Sequence, residues 1–85
     1  MIKNIKSINL FKEIFFLNTT IENNVIISNN SSIGSNCVIG SDVEIGRGVK
    51  ISSGAKVLSK VIIGKNQFIK SGQVVEKDLP NKTRF

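Results

Sequence analysis

The sequence contains no histidine, tryptophan or tyrosine, and only one cysteine and one proline. Histidine is the one side chain whose unperturbed pKa lies near neutrality, so the usual general base is missing. Zinc sites built from imidazoles are excluded with it. The lone Cys37 cannot form an internal disulfide and suits a reducing compartment. No stretch approaches the roughly 20 apolar residues of a membrane-spanning helix, so no span is expected. Like charges never run to five in a row, so a nucleic-acid-binding tail is not expected either.

What is present is ordinary in amount. The 85 residues make one domain. A chain this short buries a modest share of its surface, so an oligomer or a regular repeat is the first expectation. An apolar content of 40% argues for folding over disorder. Twelve basic and six acidic side chains give a net charge of +6, scattered along the chain. Diffuse positive charge suits polyanionic ligands, a phosphate-rich cofactor among them, without choosing one. The amino-terminal MIKNIKSINLFKEIFFL has the look of a signal peptide, yet Lys12 and Glu13 interrupt its apolar run and no small-residue cleavage site follows. A cytoplasmic location is expected.

The organising feature is a repeat. Aliphatic residues stand at Ile21, Ile27, Ile33, Ile39, Ile45, Ile51, Val57, Ile63, Ile69 and Val75, evenly spaced by one hexad without an insertion. Midway to the next aliphatic comes Asn24, Asn30, Asn36, Asp42, Gly48, Gly54, Lys60, Asn66, Gly72 or Asp78. All but Lys60 are residue types that tolerate a left-handed backbone. A further column, from Val25 and Ser31 through Cys37, Val43, Val49, Ala55 and Val61 to Gln67, Gln73 and Leu79, is mostly small or β-branched. One more hexad is readable upstream, with Phe15, Asn18 and Thr19 in the three slots.

Each hexad therefore reads as a short strand followed by a sharp corner. Three corners close a triangle, so every third hexad stacks. Ile21, Ile39, Val57 and Val75 should share one inner face, Ile27, Ile45 and Ile63 a second, and Ile33, Ile51 and Ile69 a third. The fold expected is an all-β parallel β-helix over residues 15–80, with 81–85 as a tail. Residues 1–14 lie outside the repeat. Ile2, Ile5, Ile8, Phe11 and Ile14 recur at every third residue, which suggests a short amphipathic helix. It would cap the open backbone edge of the first coil, or else lie on a membrane surface. Outward slots hold Ile26, Val38, Leu58, Ile62, Phe68 and Val74, more apolar surface than a lone prism needs.

The stretch Ile51-Ser-Ser-Gly-Ala-Lys-Val-Leu-Ser-Lys-Val-Ile-Ile-Gly-Lys-Asn66, followed by Ser71-Gly-Gln-Val-Val-Glu-Lys-Asp-Leu-Pro80, resembles the carboxy-terminal half of serine acetyltransferase. Related O-acetyltransferases of surface-polysaccharide synthesis share it. The resemblance is to the hexapeptide-repeat acyltransferases and covers about residues 21–80. It implies a left-handed coil, an exception to the usual right-handed crossover. It also implies association as a homotrimer, or assembly with a full-length acyltransferase paralogue. By the same resemblance acetyl-CoA is the cosubstrate, held near Gly54, Ala55, Lys56, Gly72 and Lys77, with no metal. Small residues there would admit a pantetheine arm, and a lysine can meet a phosphate.

The chain departs from the family where catalysis is concerned. The family's base is a histidine in a segment like IGxNCxIHxGVxIG, and here Ile33–Gly46 puts Gly40 in that slot. No catalytic residue is assigned. Asp42 and Glu44 are the nearest carboxylates, at a turn and an outward slot, and Cys37 reads as a buried structural thiol. The expectation is an acetyltransferase-family protein without its base, the alternative being a non-catalytic β-helix module. A β-helix carbonic anhydrase is excluded by the missing histidines. A threonine-laddered ice-binding face is excluded by the mixed column Thr20, Val38, Lys56, Val74.

Overall fold

The computed structural model describes residues 5–8 and 18–82. Its strands are very short: β1 (Ile5–Ile8), β2 (Thr20–Ile21), β3 (Val25–Ile27), β4 (Ser32–Ile33), β5 (Val38–Ile39) and β6 (Glu44–Ile45). The series continues through β7 (Lys50–Ile51), β8 (Lys56–Val57), β9 (Ile62–Ile63), β10 (Phe68–Ile69) and β11 (Val74–Val75). They form three parallel sheets, one on each side of a triangular prism. Face A stacks β2, β5, β8 and β11; face B stacks β1, β3, β6 and β9; face C stacks β4, β7 and β10. The three inner aliphatic stacks expected from the repeat are the ones observed, in register: Ile21 pairs Ile39, Ile27 pairs Ile45, and Ile33 pairs Ile51.

Backbone bonding explains why every third hexad stacks. The N–H groups of Thr20, Ile26, Ser32, Val38 and Glu44 donate to the carbonyls of Cys37, Val43, Val49, Ala55 and Val61, at 2.9–3.1 Å. Each partner lies one coil higher. The corners supply bonds in the other direction. The N–H groups of Asp42, Gly48, Gly54, Lys60 and Asn66 reach back to Asn23, Asn29, Ser35, Ser41 and Arg47 at 2.8–3.0 Å. Each corner residue must turn its amide downward, and it does so with a positive φ. Asn18, Asn24, Asn30, Asn36, Asp42, Lys60 and Asn66 lie between 54° and 68°, and Gly48, Gly54 and Gly72 between 70° and 78°.

Two residues per hexad enter the core as far as Val61; beyond it Gln67 is half-buried and Gln73 exposed. The ten periodic aliphatics are joined by Val25, Cys37, Val43, Val49, Ala55 and Val61, all buried. Thr19 and Ser31 are the buried polar members among the described residues. The Thr19 hydroxyl donates to the Gly34 carbonyl at 2.9 Å and accepts from the Cys37 amide at 3.4 Å, so its burial is compensated.

Both ends differ from the regular pattern. Ile5–Ile8 is a strand paired in parallel with β3, not part of a helix. An unpaired edge of face B offers a row of backbone groups, and pairing there outweighs a local helical periodicity. The rest of the expected 1–14 cap lies outside the described residues. At the other end the corner expected at Asp78 is replaced. Leu79 bridges Ile63 and packs against the core, so this last coil closes earlier than the regular ones. The Asp78 carboxylate accepts from the Ile62 amide at 2.8 Å, and Asn81 Oδ1 accepts from the Lys65 amide at 2.8 Å. Side-chain oxygens thus take over donors that the next coil would otherwise satisfy.

Among the described residues, Lys60 is the only corner with a positive φ that is neither Gly, Asn nor Asp. Holding a lysine there costs about 1–2 kcal/mol. Lys60→Asn should therefore stabilise the fold by about 1 kcal/mol, seen as a rise of about 4–8 °C in thermal denaturation. Ile45→Ala, in the middle of an inner stack, should cost about 2–5 kcal/mol in the same measurement.

Candidate functional site

Gly54 and Gly72 stack at the corner between faces C and A, where Gly72 N donates to Ser53 O at 3.3 Å. Their φ values of +78° and +74° demand glycine-like freedom. The space outside them is open: a Cβ at Gly72 would meet nothing within 4 Å, and one at Gly54 only Gly72 N at 3.7 Å. This corner is the part of the expected cofactor set where an extended ligand could approach the backbone.

The remaining members of that set do not converge on it equally. Lys56 is exposed on face A, one rung from Val38 and Val74. Lys77 is exposed past β11, across face A toward the corner with face B. Ala55 is fully buried in the core. Its N–H donates to Ser52 O at 3.3 Å and its carbonyl accepts from Val38 N at 3.1 Å, so the coil already uses both backbone groups. Gly54, Gly72 and Lys56 are brought together; Ala55 acts only as the small residue beneath them, and Lys77 stands apart.

The slot that corresponds to the family's histidine has no room for one. Gly40 is buried, and a Cβ built on it would lie 2.5 Å from the Ser59 backbone nitrogen and 2.8 Å from Ser59 Cα. Its own N–H donates to Val57 O at 2.8 Å. The Ser59 hydroxyl in turn accepts from the Ser41 amide at 3.2 Å, which draws the two coils together at this corner.

Asp42 and Glu44 are exposed, and with Asn24 and Ile26 they line a shallow depression of about 240 Å³. A neighbouring groove of about 270 Å³ runs along face B. Ile26, Glu44 and Ile62 stand in register along one side, and Gly46 and Gly64 form its floor. Arg47, Lys65 and Asn81 make the other wall. Sequence reasoning passed over this groove. Its signal is the pair Gly46-Arg47 and Gly64-Lys65, one coil apart. Both glycines are forced by stacking, since a Cβ would come within 2.8 Å of Ile63 O at Gly46 and would overlap the Pro80–Asn81 backbone at Gly64.

Cys37 is buried and free, with its thiol 3.2 Å from Ser52 O. This is packing, not a nucleophile's setting. Among the described residues no group of three or more His, Cys, Asp or Glu side chains could hold a metal. Among the same residues no helix is long and apolar enough to cross a membrane.

Residues 18–52 match the family model described as bacterial transferase hexapeptide (six repeats). The match covers less than half of the chain; with the three-sided parallel coil it supports an assignment to the hexapeptide-repeat β-helix superfamily. The left hand inferred from resemblance agrees with that assignment. No curated protein and no solved structure matches the chain. The hexapeptide match spans β2 to β7 and includes Gly40, but stops short of the Gly54–Gly72 corner.

Placing a side chain at Gly40 should damage the coil and not restore a site. Gly40→His should lower stability by about 1–3 kcal/mol through overpacking, and Gly40→Ala should do so as well. Thermal denaturation of the two variants checks this. A Gly40→His protein as stable as the parent would mean that the coils part at this corner.

Proposed function

We propose that this chain is an acyltransferase-type hexapeptide-repeat β-helix that offers a binding corner for acetyl-CoA but does not catalyse acetyl transfer by itself. The observation that carries the reading is the closed position at Gly40, where the Ser59 backbone occupies the space that a side chain would need. Transfer to a hydroxyl or amine needs a base to take the acceptor's proton, and its loss typically costs about 10²–10⁴-fold in rate. Asp42 and Glu44 lie across face A from the Gly54–Gly72 stack, at the next corner and on face B. Neither faces the open corner at which a thioester would lie.

The open space beside Gly54 and Gly72 supports the cofactor half of the reading. An extended pantetheine arm could follow that corner, with Lys56 available to a phosphate. Association supports it further. Val38, Leu58, Ile62 and Val74 are 38–51% exposed. Burying that apolar surface between copies would stabilise a homotrimer and would wall in the corner. In this reading the chain works in the cytoplasm, as an assembly module for its own copies or for a full-length paralogue.

Calorimetric titration with acetyl-CoA, paired with a thiol-release assay over serine and several sugars, tests the reading. Weak binding without turnover is expected, and Gly72→Val should abolish the binding heat. Turnover at an ordinary enzymatic rate would overturn the non-catalytic reading. Absence of binding at millimolar cofactor would leave a purely structural module. Sedimentation should give about three times the 9.3 kDa chain mass, and a monomer would remove the walled corner.

A further inference from the structure

Charge that is scattered along the sequence is segregated by the coil. Among the described residues Glu22 and Glu76 follow strands of face A, Asp42 sits at the corner between faces A and B, and Glu44 lies on face B. Asp78 is engaged with the Ile62 amide at 2.8 Å. Glu44 faces Arg47 and Lys65 across the face B groove, but none of these carboxylates lies on face C or on either corner that borders it. Five cations do. Lys50 is on β7, Lys70 directly follows β10, Arg47 and Lys65 stack at the corner leading into face C, and Lys82 stands beside them above Asn66. Arg47 and Lys65 are one coil apart; Asn81 stands above Lys65, its Oδ1 accepting from the Lys65 amide at 2.8 Å, and Lys82 N donates to Lys65 O at 2.8 Å. Phe68 stands among them, 51% exposed and paired directly above Lys50.

We propose that face C is a binding surface for single-stranded nucleic acid, with Lys50, Lys70, Arg47, Lys65 and Lys82 meeting phosphates and Phe68 stacking a base. Successive coils are about 4.8 Å apart, so Arg47 and Lys65 hold like charges one rung from each other, an arrangement that is unfavourable until an anion bridges it. A single phosphate would engage one or two rungs; a chain of phosphates engages them all. The aromatic decides the class of polyanion. Lysine and arginine side chains reach farther from the sheet than phenylalanine, so Phe68 lies at the base of a cationic rim. A membrane would require the apolar group to project beyond the charges. A duplex keeps its base faces stacked inside. An unpaired base can descend onto Phe68 while its flanking phosphates stay at the height of the rim, the arrangement of aromatic platforms in basic grooves. Neutral Ser32 and Ser52 complete the sheet without opposing charge.

The surface meets the Gly54–Gly72 corner of the acetyl-CoA reading at its edge, near Lys70, while Lys56 and Lys77 lie on face A and toward its far corner; the two readings are tested with different ligands. The test uses fluorescence anisotropy with a labelled oligothymidylate of about eight nucleotides. Binding is expected, with log Kd changing against log salt by about 0.7 per phosphate, or about 3.5 for five contacts. Phe68→Ala should weaken binding about tenfold. Lys50→Glu combined with Lys65→Glu should abolish it. Lys60→Asn, which removes one charge from a corner away from face C, should leave it unchanged. Far-UV circular dichroism confirms that each variant is folded. The proposal is overturned if an abasic oligomer of equal charge binds as tightly, or if Phe68→Ala has no effect. It is equally overturned if phosphatidylserine vesicles bind and the oligonucleotide does not, or if low salt gives no binding.

Discussion

The fold depends on one constraint: each corner must turn its backbone to a positive φ so that the next coil lands about 4.8 Å above the last. Given that turn, strand N–H groups meet carbonyls in the coil above, and corner amides reach back to the coil below. Neither set of bonds forms alone, because a misplaced corner rotates every later strand off its face. Asparagine serves half of the described corners because its side chain tolerates the left-handed region. Core composition follows from the same geometry. Two inward positions per hexad leave room for one branched aliphatic and one smaller residue, which is the observed pairing of Ile with Val, Ala or Cys.

Close stacking also limits where chemistry can occur. Gly34, Gly40, Gly46 and Gly64 each lie against the backbone or a serine of the coil above, at distances that exclude a Cβ. At Gly34 and Gly40 the approach is tightened by Ser53 and Ser59, whose hydroxyls accept from the Ser35 and Ser41 amides at 3.2 Å. A serine that ties two coils together thereby removes the space for a side chain beneath it. The outward-facing slots and the open corners remain, and these are where the cofactor corner, the face B groove and the cations of face C are found.

The repeat made the interior legible from sequence alone. The three inner stacks, the corner column and the inward second column follow from a period of one hexad, and the structure repeats them nearly residue for residue. The misses have a common cause, which is that they depend on something other than the period. Asp78 reads as one more corner by position, yet its carboxylate serves better as an acceptor for Ile62, which lets Leu79 take the next inward place early. Ile5–Ile8 carries a helix-like spacing, yet the open edge beside β3 offers a strand partner. The corner at Gly54 and Gly72 was legible as a left-handed turn because both glycines fall in the corner column. The closed position at Gly40 was not, since a glycine imposed by crowding and a glycine beside open space look the same in a sequence.

Charge shows the same limit from another side. Arg47, Lys50, Lys65, Lys70 and Lys82 are unevenly spaced, which reads as scatter along the chain. Wound three hexads to the coil, Arg47 and Lys65 fall on one corner, the early-closing last coil brings Lys82 beside them, and Lys50 and Lys70 fall on the face next to it. A linear search for basic runs is the right instrument for a tail and the wrong one for a prism. In a solenoid the relevant neighbour of a residue is the one a coil away, so the charge on a face is set by sequence position modulo the coil length. The carboxylates obey the same rule and fall elsewhere, toward faces A and B. The segregation is a property of the winding, and it gives a small chain two chemically distinct sides without a second domain.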